Sequence, residues 1–262
     1  MHGLIDSHFH LLEMEKKGID PKKMLIDLQE AGFAGGIDIG VSENDIAIRA
    51  PLVAPYTNIR TAAGIGPWGA DGEESVTAKA GRFRHNISGF RIDCIGEIGL
   101  DYHWNYGTPS RQRILFEEQL ALARELEVPV VIHSRDADED MTAILETSTF
   151  PHGGIMHCFS SGWALAQTAL DRGLYISFAG PITYKNNQGL REMLARVPVE
   201  KLLLETDSPY LAPAPHRGKT NTPFTMVEIY AEAARILGIG MEDLSMRIRT
   251  NFANLFGSPD RS

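Results

Sequence analysis

The sequence predicts an α/β protein with the (β/α)8 TIM-barrel fold. Eight short apolar segments recur along the 262 residues, each ending in small or polar residues and most followed by a helical pattern. Short apolar runs are typical of strands buried on both faces, and strands that alternate with helices predict a parallel sheet. The predicted strands are residues 4–8, 35–39, 61–66, 94–100, 129–133, 154–158, 174–178 and 202–207. A doubly wound open sheet is the alternative.

Composition and charge limit the classes of protein that the chain can be. Hydrophobic residues make up 43% and charged residues 23%, and no linker-like stretch divides the sequence, so we expect one domain over residues 1–262. The formal net charge of −9 argues against a broad basic surface for nucleic acid. Local cations must therefore attract any anionic substrate.

The N-terminal residues and the cysteines indicate the compartment. The segment MHGLIDSHFH leads directly into a predicted strand, and the apolar runs are far shorter than a membrane span. These observations predict a cytoplasmic protein with no membrane partner, and no obligate protein partner is evident. Cys94 and Cys158 lie far apart in strand-like segments, where we expect small buried residues; a thiolate metal ligand is the alternative.

Two helices have clear start signals. The first is predicted over residues 111–127 with Ser110 as its N-cap, and the second begins at Thr222-Pro223 and ends before Gly238. Weaker helical patterns cover residues 42–56 and 71–86. The apolar face of the first helix consists of Leu115, Phe116, Leu120, Ala123 and Leu126.

The first strand ends in Asp6-Ser-His8-Phe-His10, which indicates a metal site. Side chains alternate along a strand, so Asp6, His8 and His10 point to one side, where two imidazoles can reach one ion. Since the chain has nine histidines, such a pair also arises by chance. Its position at a strand end favours the metal site.

Four further side chains that can bind metal lie near the ends of other predicted strands: Glu97, His133, His157 and Asp207. Each alone could be a hydrogen-bonded surface group. Together with His8 and His10 they give a mixed nitrogen and oxygen set at the strand ends where barrel active sites lie. Six ligands suit two divalent ions better than one, because a glutamate can bridge the ions while each keeps an open position. Imidazoles favour zinc, whereas carboxylates favour magnesium or manganese.

The segment from residue 202 to 223, LLLETDSPYLAPAPHRGKTNTP, contains the last of these ligands. Asp207 is expected both to bind metal and to take a proton from the attacking water. Glu205 shares its strand face, so it either supports a metal ligand by a hydrogen bond or is a buried partner.

The motifs DSHFH, GEIGLDY, HSRDA, HCFSSG and ETDSPYLAP with RGKTNTP resemble those of the TatD-related metal-dependent hydrolases in the amidohydrolase superfamily. The resemblance runs from the first strand to the last helix. It implies a (β/α)8 barrel with a divalent-metal site and deoxyribonuclease activity, often on the 3′ end of DNA. It also implies metal-binding roles for His8, His10, Glu97, His133, His157 and Asp207.

One motif departs from the family pattern. Relatives commonly have Gly-x-His-Pro-His after the third strand, whereas this chain has Gly64-Ile-Gly66-Pro-Trp68. Trp68 is either a stacking platform for a base or a packing residue. Arg135, Arg217 and Lys219 are expected to contact phosphate; solvated loop charges, or an ion pair of Arg135 with Asp136 or Asp138, are the alternatives.

These observations predict a metal-dependent deoxyribonuclease that acts on DNA 3′ ends or single strands. A barrel amidohydrolase that cleaves a small amide, lactone or phosphotriester is the alternative. Many two-metal members of that superfamily bridge their ions with a carboxylated lysine near strand four or five, and neither strand end offers one here. A degenerate barrel that only binds a ligand is the third possibility, which the intact ligand set argues against.

Overall fold

Eight parallel strands form one sheet in which neighbouring strands follow the chain order, and helices alternate with the strands. The computed structural model describes residues 1–257. The fold is a single-domain (β/α)8 barrel, so the predicted fold class is confirmed. The strands β1 to β8 are Ile5–Phe9, Gly35–Asp38, Ile59–Ala63, Cys94–Asp101, Val130–Arg135, Gly154–Met156, Tyr175–Phe178 and Leu202–Leu204.

Ten α-helices lie within residues 1–257. The two weak helical patterns of the sequence are both confirmed, as α3 and α4. The helices α1 to α10 are Leu11–Lys16, Pro21–Glu30, Ile46–Val53, Val76–Ile87, Pro109–Glu125, Asp138–Thr147, Trp163–Asp171, Gln188–Arg196, Met226–Leu237 and Met241–Phe256. Short 3-10 turns cover Pro67–Ala70, Gly180–Thr183, Val199–Lys201 and Pro223–Thr225.

The prediction of Ser110 as the N-cap of α5 is wrong. Thr108 caps the helix, because its hydroxyl accepts a hydrogen bond from the Arg111 N–H at 3.3 Å and Pro109 occupies the first helical position. The helix ends at Glu125, and Leu126, predicted to be buried, is 42% exposed because it lies past the last turn. Helix α5 also has two buried glutamines, Gln112 and Gln119, whose side chains form hydrogen bonds with backbone groups. Gln119 binds both the N–H and the C=O of Ile65, at 2.7 and 2.8 Å.

Several predicted boundaries shift by a few residues. Strand β8 ends at Leu204, so Asp207 follows the strand at a φ of 53° instead of ending it. Strand β6 likewise ends one residue before His157. Pro223 begins a 3-10 turn, and α9 starts only at Met226; its end at Gly238, which has a φ of 67°, agrees with the prediction.

One compact unit consists of residues 1–38, 52–60 and 176–257. Phe9 bridges to Ser208 in parallel, and backbone hydrogen bonds join Asp207 to His8 and His10 to Ser208 at 2.9 and 2.8 Å. These contacts close the sheet between β1 and the segment after β8. The apolar core of this unit contains Phe9, Leu11, Met14, Met24, Leu25, Leu28, Phe33, Val53 and Ile59.

The other compact unit consists of residues 39–51 and 61–175. Its strands β4 and β5 pair in parallel, with Gly99 opposite His133 and Asp101 opposite Arg135. Gly99 has a φ of 146°, and a Cβ there would overlap the backbone C=O of His133, so only glycine fits at this position.

No helix within residues 1–257 is both long and apolar enough to cross a membrane. Cys94 is buried and Cys158 is partly buried, and neither forms a disulfide in the described part of the chain.

Candidate metal centre

The first ligand group consists of His8, His10 and Asp207. The Nε2 atoms of the two histidines are 3.1 Å apart, and the Asp207 Oδ1 lies 3.6 Å from the His8 Nε2 and 3.4 Å from the His10 Nε2. Both histidines are buried, whereas the Asp207 side chain is 13% exposed. Three donor atoms therefore converge, and the carboxylate is the one nearest to solvent.

The backbone around the first group fixes its ligands. Asp207 adopts the left-handed conformation, which aspartate tolerates better than most residues, and its N–H and C=O bind His8 and Tyr210. Beneath it, Asp6 is fully buried and accepts hydrogen bonds from the Thr206 N–H at 2.9 Å and the Thr206 hydroxyl at 2.6 Å. Burial raises the pKa of Asp6 to about 8, although these hydrogen bonds favour its ionised form.

Glu205 is also fully buried on this side of the barrel. The Ser7 hydroxyl lies 3.4 Å from the Glu205 Oε2, 3.1 Å from the Leu204 C=O and 2.8 Å from the Ser177 hydroxyl. Glu205 therefore belongs to a buried polar network formed by β1, β7 and the C-terminal end of β8. Whether it supports a metal ligand stays a prediction.

The second ligand group consists of Glu97, His133 and His157. The Glu97 Oε1 lies 2.8 Å from the His133 Nδ1 and 3.0 Å from the His157 Nε2, and those two nitrogens are 3.1 Å apart. Glu97 and His157 are buried, and the His133 side chain is 19% exposed. The six expected ligands thus divide into two groups of three, each with two imidazoles and one carboxylate.

Asp101, at the end of β4, is a site residue that was not predicted. Its Oδ2 lies 3.0 Å from the His133 Nε2, so it holds the imidazole nitrogen that faces away from Glu97. Its Oδ1 accepts hydrogen bonds from the backbone N–H groups of His103 and Trp104, at 3.0 and 3.2 Å. Asp101 follows Glu97 by four residues, and this even spacing places both on one face of a regular strand, a signal that could have identified it.

The hydrogen bond between Asp101 and His133 shifts the pKa of each residue in the direction that favours its charged form. Burial raises the pKa of Asp101, but the hydrogen bonds with His133 and with the backbone N–H groups of Trp104 and His103, together with the charge of His133, outweigh burial, so the pKa lies below its usual value. Burial likewise lowers the pKa of His133, but its hydrogen bonds with Asp101 and Glu97 raise it above 6.5 overall. A carboxylate that fixes a histidine in this way is typical of metal sites.

Both groups fit a divalent ion by the spacing and chemistry of their donors. An ion about 2.0–2.2 Å from each donor, with tetrahedral or octahedral angles, spaces the donors about 2.8–3.6 Å apart. The observed separations run from 3.1 to 3.6 Å in the first group and from 2.8 to 3.1 Å in the second. Two imidazoles and a carboxylate leave at least one position for water or substrate.

Trp68, one of the residues predicted to contact substrate, makes several contacts within the protein. Its indole N–H donates to the Val41 C=O at 2.7 Å, and its ring lies edge-on to Tyr106 with centroids 6.3 Å apart. A Cβ at Gly66 would overlap this ring. These contacts fit the packing alternative, and base stacking by Trp68 stays a prediction.

The three cations expected to contact phosphate are all exposed. Arg135 is two residues after His133 on β5, so both side chains point to the same side of that strand. The Cζ of Arg217 lies 4.3 Å from the centroid of the Tyr184 ring, and Lys219 lies two residues further along the same loop. The alternative ion pairs of Arg135 do not form: Asp136 pairs with His103, and Asp138 accepts a hydrogen bond from the Gly162 N–H.

The chain is similar to a known protein family and to several bacterial proteins over most of its length. The family model described as TatD related DNase matches residues 5–257. The metal-dependent hydrolase YcfH of Escherichia coli K12 is 34% identical over 256 residues, which cover 97% of this chain and 95% of that protein. A protein of Citrobacter koseri named 3′-5′ ssDNA/RNA exonuclease TatD is 33% identical over 239 residues, 87% of this chain and 89% of that protein.

Solved structures agree with the fold. The crystal structure of YJJV, a TatD homologue from Escherichia coli K12, superposes with a TM-score of 0.86 at 24% identity, covering 97% of this chain and 98% of that one. An organophosphorus hydrolase from Deinococcus radiodurans superposes with a TM-score of 0.64 at 16% identity, covering 97% and 92%. At these identities the likeness concerns the fold alone.

Proposed function

Because the chain belongs to the family of TatD-related DNases and is a metal-dependent hydrolase, we propose that it cleaves phosphodiester bonds in DNA, at 3′ ends or in single strands. The observation that carries the proposal is the presence of two ligand groups, each with two imidazole nitrogens and one carboxylate oxygen within 3.6 Å of one another. The relative from Citrobacter koseri, named as a 3′-5′ exonuclease, supports the substrate class.

We assign one divalent ion to each group, and Zn²⁺, Mn²⁺ and Mg²⁺ all suit the mixed donors. Bound ions of this kind lower the pKa of water and neutralise charge on a phosphoryl oxygen. His8 and His10 orient the first site, and Asp101 fixes His133 so that its Nδ1 is free of the proton and can bind in the second. Glu97 would hold the ion of the second group together with His133 and His157, and the bound ion would supply the Lewis acid there.

Asp207 is the proposed base. It is the most exposed ligand of the first group, at 13%, whereas His8 and His10 are at 0% and 3%. A carboxylate that reaches solvent can accept a proton from a water molecule and release it again. Its neighbours Asp6 and Thr206 hold the backbone in place while it does so.

Phosphate recognition must come from local cations, because the chain carries a net charge of −9. We propose that Arg135 contacts substrate beside the second group, and that Arg217 and Lys219 do so from the loop after Asp207. We further propose that the reaction takes place in the cytoplasm and that the domain spans residues 1–262.

Metal removal tests the proposed function. Protein treated with chelator and dialysed should lose hydrolysis of a single-stranded oligonucleotide, and Zn²⁺, Mn²⁺ or Mg²⁺ should restore it, with metal content followed by elemental analysis. Strands labelled at the 3′ or the 5′ end determine the direction of cleavage. His10→Gln should lower bound metal, whereas His85→Gln, a matched change on the exposed face of α4, should not.

Two outcomes would contradict the proposal. Full activity in protein shown to contain no metal would exclude the metal-activated water. Hydrolysis of a lactone or a phosphotriester by the metal-loaded protein, with no cleavage of DNA or RNA, would favour the alternative amidohydrolase reaction.

A further inference from the structure

An exposed indole lies beside the second ligand group. Trp104 is 52% exposed, compared with 44% for Tyr210 and 36% for Phe90. Large aromatic side chains usually bury most of their surface, and exposed ones often take part in binding. Trp104 stands three residues after the end of β4, in the loop at the carboxyl end of that strand, where barrel enzymes bind their substrates.

Asp101 connects Trp104 to the metal ligands. Its Oδ1 accepts the backbone N–H of Trp104 at 3.2 Å, while its Oδ2 lies 3.0 Å from the His133 Nε2. One carboxylate therefore separates the backbone of Trp104 from a proposed metal ligand. The hydrogen bond fixes the backbone of Trp104 relative to the second group, while its side chain is exposed.

Arg135 adds a cation to the same place. Asp101 and Arg135 are opposite each other in the β4–β5 pair, and the Cζ of Arg135 lies 5.7 Å from the centroid of the Trp104 ring. The nearby carboxylate of Asp136 pairs with the His103 Nδ1 at 3.0 Å. Within residues 1–257 Arg135 takes part in no ion pair, so its charge is available to a phosphate.

Trp68 was also considered as a stacking platform, but it differs from Trp104 in its exposure and in its hydrogen bonding. Its N–H is bonded to Val41 and its side chain is only partly exposed. Trp104 combines an accessible ring with a neighbouring guanidinium, which are the two elements that single-stranded nucleic acid sites use: a face on which a base stacks and a charge for the backbone.

We infer that Trp104 and Arg135 form the binding site for one unpaired nucleotide next to the bond that is cut. The base stacks on the indole, and the guanidinium of Arg135 contacts the phosphate of the same nucleotide. A base inside a duplex has no exposed face, so this site selects single strands and frayed ends. The inference rests on the proposed function, because it names the part of the substrate that reaches the second ligand group.

Oligonucleotides that lack single bases test the inference. Wild type, Trp104→Ala, Trp104→Phe and Phe90→Ala would be loaded with metal and assayed on a single-stranded oligonucleotide and on versions with an abasic residue at each of the terminal positions in turn. Phe90 is a matched control, because it is an exposed aromatic that precedes β4 and so lies at the opposite end of that strand. Melting temperatures show whether each variant is folded.

We expect Trp104→Ala to raise KM for the unmodified strand about 5- to 150-fold, which corresponds to the ~1–3 kcal/mol of one stacked base. An abasic residue at one position should raise the wild-type KM by a similar factor and add little to that of Trp104→Ala. The KM of Trp104→Phe should lie between those of wild type and Trp104→Ala, and the KM of Phe90→Ala should equal that of wild type.

The results separate two kinds of failure. If wild type cuts the strand but Trp104→Ala keeps its KM, or is equally sensitive to the abasic residue, the nucleotide site is refuted and the proposed function stands. If metal-loaded wild type leaves single-stranded DNA and RNA intact, the proposed function fails and the nucleotide site fails with it. A loss confined to melting temperature would assign Trp104 to loop stability.

Discussion

Replacing Asp101 by Asn should weaken metal binding at the second ligand group, although Asp101 is not itself a proposed ligand. The Oδ1 of Asp101 accepts two backbone N–H groups, so the amide oxygen of Asn is expected to take its place. The amide NH₂ then faces the His133 Nε2, 3.0 Å away in the wild type. That nitrogen must accept a hydrogen bond, and the proton moves to Nδ1, which is the atom that faces Glu97 and His157.

Two general magnitudes give the size of the expected loss in metal affinity. Removing a carboxylate partner from a metal-binding histidine typically lowers metal affinity about 10- to 100-fold, or ~1.4–2.8 kcal/mol. A hydrogen bond to a charged group contributes about 1.5–3 kcal/mol. The two ranges agree, and Asp101 is only 4% exposed, so water does not readily replace it. We therefore expect affinity for Zn²⁺ at one site to fall by one to two orders of magnitude.

Titration calorimetry on metal-free protein, or competition with a chromophoric chelator, would measure the loss at several pH values. In the wild type the raised pKa of His133 makes a proton compete with the ion, so affinity falls as pH decreases, starting above the ordinary histidine pKa. Asn at position 101 removes one cause of the raised pKa, so the dependence between pH about 6 and 8 should become flatter. Asp93→Asn, the same change at the start of β4, is the matched control. Unchanged affinity and an unchanged pH profile in Asp101→Asn would refute the role assigned to this carboxylate.

Two further predictions concern the first ligand group and the loop that follows it. Asp207→Asn should lower kcat about 10²- to 10⁴-fold at saturating metal with little change in KM, because an amide can still bind the ion but cannot accept the proton. If this variant has full metal content and a kcat near the wild-type value, another residue is the base. Arg217→Ala and Lys219→Ala should each raise KM for single-stranded DNA and reduce the slope of log KM against log salt by about 0.7. Lys22→Ala, on the exposed side of α2, is the control, and an equal slope in all variants would return both residues to solvated loop charges.

Much of the fold was predictable because it depends on patterns that repeat. Each strand is buried on both faces and appears as an apolar run, and all eight were located, with ends that differ by a few residues. The ends of β6 and β8 were placed too late because residues such as Thr206 look like strand in the sequence, while the chain there turns to bind Asp6. The cap of α5 was misplaced because Thr108 and Ser110 are equally good caps by residue type, and Pro109 decides between them.

The candidate ligands were predictable for a different reason: imidazole and carboxylate side chains at strand ends are few, and each one stands out. The spacing of Glu97 and Asp101 could have placed Asp101 on the face of the ligands, but its role was missed because the nitrogen of His133 that it holds depends on the register of β4 and β5. Trp104 was missed because the periodicity of a sequence does not predict whether a side chain in a loop is exposed. The sequence therefore identifies the atoms that can bind metal, whereas the groups that orient them require the paired strands.

The two departures from the family motif after β3, at Gly66 and Trp68, depend on each other. The family resemblance implies histidines at the positions of Gly66 and Trp68, and the Trp68 ring occupies the space that a side chain at residue 66 would need. A residue larger than glycine at position 66 is therefore incompatible with the present position of the indole. The N–H of Trp68 also binds the Val41 C=O, which ties the loop to the segment after β2. The loop after β3 thus carries one indole with its own hydrogen bond, while the three side chains of the second group, Glu97, His133 and His157, have donor atoms within 3.1 Å of one another.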